Sequence, residues 1–210
     1  MAKKRKGKGK RFAHPSYWLI LDAHGVLIPS SERLILRGLA RHSTLPYWYI
    51  LLRWAYFHIP SQLGKMDSKT YYEKVIGRPL SEQAFNEWIV KPYREKFIIF
   101  PQVLQELKRL HSKGWKIGVL SNMHELQARL HREQKTFKDF DLVLLSCELG
   151  QMKPFPETME LMQKHTRARR DHIVFVDDVW LNVVPAQLMG YNAIRLRGYD
   201  PLLRFLMDLE

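Results

Sequence analysis

The chain is short of cysteine, of acid and of long apolar runs, and each shortage closes off a class of protein. Cys147 is the single cysteine among 210 residues. No internal disulfide or Cys-X-X-Cys pair can form, and a reducing cytoplasm is the expected setting. Cys147 follows an apolar run and reads as a small packing residue. The most apolar stretch, Leu45 to His58, is too short to span a bilayer and is interrupted by Arg53. The first residues lack the apolar core of a secretory signal and the serine-rich look of a transit peptide. Without a glycine-rich phosphate loop or a dinucleotide fingerprint, kinase and dehydrogenase readings have no support. Nine histidines are scattered without His-X-X-X-His spacing. His124 and His131, on one predicted helix, read as a surface pair rather than as zinc ligands. There is no internal repeat.

Acids number 21 against 34 lysines and arginines, a formal charge of +13. Much of the excess sits at the start, where Lys3, Lys4, Arg5, Lys6, Lys8, Lys10 and Arg11 precede any acid. Residues 1–15 therefore read as a disordered basic tail, suited to weak contact with nucleic acid or an anionic surface. The remaining positive balance suits an anionic substrate.

Against this background stands an apolar run that ends on paired carboxylates, His172-Ile-Val-Phe-Val-Asp177-Asp178. Neighbouring carboxylates repel, and a hard divalent cation such as Mg²⁺, which takes oxygen ligands, removes the conflict. A second run, Tyr17-Trp-Leu-Ile-Leu, stops on Asp22, and a third, Trp115-Lys-Ile-Gly-Val-Leu, stops on Ser121-Asn122. Leu142-Val-Leu-Leu follows, then a loop carrying Lys153. Such runs read as buried parallel strands, and open parallel sheets bind ligands outside their carboxyl ends. Asp22, Ser121, Lys153, Asp177 and Asp178 are thus expected at one site. A nucleophilic carboxylate, a hydroxyl, a cation and a metal clamp suit phosphoryl transfer.

Four segments in order, LILDAHGVL, GVLSN, GQMKPFP and FVDDVWLNVVPAQLMG, resemble the motifs of the haloacid dehalogenase-like hydrolases, a superfamily dominated by Mg²⁺-dependent phosphatases. The resemblance runs from about Tyr17 to Leu196. It implies an α/β, Rossmann-like three-layer sandwich with a mainly parallel sheet and an inserted α-helical cap. It also implies roles. Asp22 is the nucleophile that becomes an aspartyl-phosphate. Ser121 and the Asn122 backbone amide bind phosphoryl oxygens, and Lys153 neutralises the phosphate and holds Asp22 ionised. Asp178 is a side-chain Mg²⁺ ligand, Asp177 a water-mediated one, and the position of His24 contributes its backbone carbonyl. The implied substrate is a small phosphorylated metabolite.

The pattern is broken at His24, where the phosphatases carry a second aspartate as general acid and base. General acid–base help is worth typically 10²–10⁴ in rate. Histidine either replaces it, or marks a substrate whose leaving group needs no proton, or marks a decayed site that binds without turning over. The dehalogenase branch also lacks the second aspartate, but it uses no metal and does not keep the aspartate pair. The readings therefore rank as phosphatase, weak phosphate-binding or interaction module, then dehalogenase.

Residues 16–28 and 100–210 read as the core and 29–99 as the cap. Within the cap, Glu32–Arg41, Pro46–His58 and Ser68–Val75 read as helices, broken by Pro60, Gly64 and Pro79. Core helices are expected at Gln102–Ser112, Glu125–Glu133, Glu157–His165 and Leu181–Leu188. The aromatic stretch 45–58 reads first as the cap's own core, with a pocket for a planar substrate, or a docking face for a membrane or partner, left open.

Overall fold

A computed structural model describes residues 17–30 and 32–209; the basic tail lies outside the described residues. Five strands, β1 (Trp18–Leu21), β2 (Lys116–Ser121), β3 (Leu142–Leu145), β4 (Ile173–Asp177) and β5 (Asn192–Arg195), form one sheet in the order β3-β2-β1-β4-β5. Every pairing is parallel. Successive side chains alternate between faces. Leu19, Leu21, Val119, Val174 and Val176 therefore join one hydrophobic cluster, and Ile20, Leu120 and Phe175 a second. Apolar residues on both faces explain why these strands read as continuous runs in the sequence.

Between β1 and β2 lie α1 (Glu32–Ala40), α2 (Tyr47–Gln62), α3 (Ser68–Ile76), α4 (Glu82–Phe85), a π-helical turn (Asn86–Val90) and α5 (Lys91–Lys96). The rest of the chain adds α6 (Pro101–Ser112), α7 (Glu125–Glu133), α8 (Ser146–Leu149), α9 (Pro156–Thr166), α10 (Trp180–Leu188) and α11 (Tyr199–Met207). Helices α6, α7 and α11 bury leucines and a valine in the first cluster. Helices α9 and α10 bury Met159, Met162, Val183 and Ala186 in the second. The sheet is thus the middle of three layers, a Rossmann-like α/β sandwich. No helix among the described residues is long and apolar enough to cross a membrane.

Two expectations are corrected. Pro60 does not break α2, which continues to Gln62. Proline costs a helix the bond to the carbonyl four residues back, and here that carbonyl belongs to the exposed Tyr56, where water can serve it. His124 and His131 are not on the surface: both are buried, for reasons given below.

The strand order determines where the site lies. The chain steps from β1 outward to β2 and β3, then crosses back to β4 and β5 on the other side of β1. That reversal leaves a crevice at the carboxyl ends of β1 and β4, the place where such sheets bind ligands.

Candidate active site

Asp22 follows the last residue of β1, and its backbone N–H extends the ladder to β4 by donating to the Val176 carbonyl at 2.8 Å. Asp177 ends β4. The reversal of strand order thereby sets these two carboxylates side by side. Asp178 joins them, and one oxygen from each of the three lies within 4.8 Å of the others.

Lys153 holds the group together. Its side chain is 1% exposed, and Nζ donates to Asp177 Oδ2 and the Leu120 carbonyl at 2.7 Å, with Asp22 Oδ1 at 2.9 Å. Burial lowers its pKa, but Asp177 and Asp22 together outweigh burial and raise it. The lysine is held in place through its backbone. Asn122 accepts the Lys153 N–H at 2.9 Å and donates to the Lys153 carbonyl at 2.8 Å. The Asn122 side chain is thus occupied in positioning Lys153, which the sequence does not reveal. The Ser121 hydroxyl, at the end of β2, is buried close enough to favour the Asp22 anion, but makes no hydrogen bond of ordinary length.

The three carboxylates differ. Burial pushes Asp22 up to about 6, Lys153 pulls it back and Asp177 adds to the rise. Asp177 is saturated: Oδ1 accepts from Val179 N at 2.8 Å, Oδ2 from Lys153, and Asn182 Nδ2 reaches both oxygens at 3.0 Å. Asp178 is half-buried. Its pKa is raised first by burial and then by Asp177, and lowered by Arg197, whose Nε stands 3.9 Å from Oδ2. Gly25 makes room for Asp178: it has φ +98°, and a Cβ there would lie 2.6 Å from Asp178 Oδ2. Three acids against one buried lysine leave negative charge on hard oxygen donors, a set that fits Mg²⁺. Asp22 and Asp178 keep oxygens free for it, while Asp177 is filled by its N–H donors.

His24 is turned to a different partnership. The Gln127 Oε1 accepts the His124 backbone N–H at 3.2 Å, which directs its Nε2 to His24 Nδ1 at 3.3 Å. The proton of His24 then belongs on Nε2, which stands 3.1 Å from His131 Nε2; His131 Nδ1 in turn is 3.2 Å from Thr136 Oγ1. A chain of this kind requires both imidazoles to be neutral, because a second proton would set N–H against N–H. Accordingly, burial first and then Lys153 lower His24 to about 4, and burial and His24 lower His131. Gln127, His131, Asn182, Arg197 and Gly25 all shape the site without standing out in the sequence. Gly25, inside the first motif, and Asn182, inside the fourth, carried the nearest thing to a signal.

The haloacid dehalogenase-like hydrolase family model matches residues 18–190. Bifunctional epoxide hydrolase 2 of Sus scrofa is 32% identical over 119 residues, 54% of this chain and 21% of that protein. Acyl-CoA dehydrogenase family member 10 of Mus musculus is 28% identical over 97 residues, 46% of this chain and 9% of that protein. The chain thus spans a small part of the curated relatives it matches. Among solved structures, a magnesium complex of a HAD family enzyme from Bacteroides thetaiotaomicron superposes with TM-score 0.75 at 20% identity, covering 91% of this chain and 99% of that one. The L-2-haloacid dehalogenase of Xanthobacter autotrophicus superposes with TM-score 0.60 at 19% identity, covering 90% and 80%. With the matched residues running from the start of β1 to the turn after α10, the chain belongs to the haloacid dehalogenase-like hydrolases.

Proposed function

We propose that this hydrolase is a Mg²⁺-dependent phosphatase that works through an aspartyl-phosphate on Asp22, and that its substrates are small phosphorylated compounds with good leaving groups. The observation that carries the reading is the joining of Asp22, Asp177 and Asp178 around the buried Lys153 ammonium. Support also comes from the HAD family enzyme of Bacteroides thetaiotaomicron, solved with magnesium and inorganic phosphate at TM-score 0.70. A bound Mg²⁺ would supply Lewis-acid charge stabilisation at the phosphoryl oxygens. Asp22 and Asp178 would hold it. Asp22 attacks phosphorus in line as the bond to the leaving group breaks and that group departs as its anion; water then hydrolyses the aspartyl-phosphate, which releases inorganic phosphate and restores Asp22. Lys153 keeps Asp22 ionised and offsets the charge gathering on the phosphoryl group. The unpaired Ser121 hydroxyl donates to a phosphoryl oxygen. Helices α1–α5 act as the cap that limits water. The lone Cys147 supports a reducing cytoplasm as the setting.

His24 decides the leaving group. Both ring nitrogens are engaged by Gln127 and His131, which leaves none to protonate a departing alkoxide. Acyl phosphates, anhydrides and aryl phosphates need no such proton. The same observation favours a second reading, a site that binds phosphate and turns over slowly. Phosphate release from acetyl phosphate and from an aryl phosphate, with and without chelator, separates the two. The phosphatase reading expects Mg²⁺-dependent release that Asp22→Asn abolishes, with alkyl phosphates far slower. Absence of release from every substrate, together with retained phosphate binding, would overturn it in favour of the second.

A further inference from the structure

Helix α2 is apolar on two opposite sides. Ile50 and Ser61 are buried, and Trp54 and Phe57 pack on the core. At about 100° per residue, Trp48, Leu52, Tyr56 and Ile59 fall on the far side within an arc of roughly 80°. They are 64, 59, 75 and 52% exposed. A surface helix ordinarily carries charge on that face, and this one carries none. The aromatic stretch is therefore the cap's core along one face only.

The neighbouring helix carries cations. Helix α1 packs against α2 and buries Ile35, Leu36 and Leu39, so its outward positions are Arg33 and Arg37, with Arg41 one turn on. All three are exposed, and none forms an ion pair among the described residues. The only acid of residues 32–63, Glu32, is used internally. It accepts from Trp54 Nε1 at 3.2 Å and stands 3.4 Å from His58 Nδ1. Arg53 is also occupied, with Nε donating to the Lys74 carbonyl at 2.6 Å and the guanidinium over Tyr49 and Phe57.

An uncharged stripe with tryptophan and tyrosine on α2, and three unpaired arginines on the helix packed against it, are complementary to a surface that is apolar beneath and anionic above. Aromatic residues concentrate at lipid–water interfaces, and basic amphipathic helices lie in them. We propose that the α1–α2 hairpin docks the protein on an anionic lipid surface. The 16 residues of α2 lie along the headgroups, with Trp48, Leu52, Tyr56 and Ile59 toward the acyl chains and the α1 arginines on lipid phosphates. This docking is independent of the reaction at Asp22.

The test is flotation of the full chain with phosphatidylcholine vesicles, with and without phosphatidylglycerol. Binding is expected only with phosphatidylglycerol and weakens as salt rises. Arg33→Gln with Arg37→Gln and Arg41→Gln should weaken it about a hundredfold. Leu52→Ser with Tyr56→Ser should weaken it at least about tenfold and reduce quenching of tryptophan by brominated lipid in proportion. Both variants alter exposed residues, and unchanged thermal unfolding verifies their folds. Deletion of residues 2–11 should leave binding that still responds to both variants. The proposal is overturned if the full chain ignores phosphatidylglycerol, if both hairpin variants bind as the parent does, or if that deletion removes all binding. It is equally overturned if the Leu52 and Tyr56 variant loses a concentration-dependent dimer instead.

Discussion

Lys153 is the buried cation of the site, its ammonium shared by Asp22 and Asp177, while the exposed Arg197 lies beside Asp178. Replacing Lys153 with methionine leaves two buried carboxylates facing each other without compensation. Breaking a buried pair costs about 3–5 kcal/mol. Urea unfolding of Lys153→Met should show a loss of that order together with loss of phosphate release; a stable, active variant would refute the assignment. Gly25 makes a more local claim. Because its φ is +98° and a Cβ would stand 2.6 Å from Asp178 Oδ2, Gly25→Ala should displace that carboxylate and weaken Mg²⁺ binding by about 10–100-fold, as read by calorimetry. Unaltered affinity would show that Asp178 is not held by this contact. At this scale the sequence was informative where chemistry marks a residue: paired acids, a serine and a lysine at strand ends. It was silent on Gln127 and Arg197 and misleading on His131, which reads as a surface residue, because their meaning comes only from what lies opposite them in space.

Helix α7 shows how an element binds the two halves of the chain. Its capping residue, His124, is fully buried, with Nδ1 3.2 Å from Ser68 Oγ and Nε2 3.1 Å from Tyr72 OH, which pairs with Tyr93 OH at 2.7 Å. Burial, then His58 and His24, lower its pKa well below 6.5. In the fold it is neutral, whereas in the unfolded chain it takes up a proton below about pH 6.5. Its contribution is therefore complete above that pH and lost as pH falls. The cost of His124→Gln, measured by urea unfolding from neutral pH downward, should shrink by roughly 1.4 kcal/mol for each pH unit below 6.5. A pH-independent cost would mean that the imidazole titrates normally. Elements with strong periodicity were legible: α7 and β3 fall where expected, and α1, α3 and α6 within a residue or so. β5, with only Asn192 to Arg195 and a polar residue at each end, offers too little pattern. The π-helical turn at 86–90 depends on packing that no local rule reveals.

Across the whole molecule, one hydrophobic cluster runs without a break from Leu19 and Val119 in the sheet to Ile50, Tyr71 and Ile89 in the helical insertion. The sequence suggested the insertion from a long gap between strands, but not this continuity, because contact between distant segments has no local signature. A shared core and the Ser68–His124–Tyr72–Tyr93 hydrogen bonds should make insertion and sheet unfold together. Tyr72→Phe tests this, since it removes a hydroxyl that serves both His124 and Tyr93 and leaves buried partners unpaired, at a cost of about 1–3 kcal/mol. If the chain opens as one unit, hydrogen exchange in mild urea should show the same loss of protection in α3 as in β1 and β4. If instead only α3 and its neighbours lose protection while the strands keep theirs, the insertion opens separately. The tyrosine network would then be a latch between two units rather than part of one core.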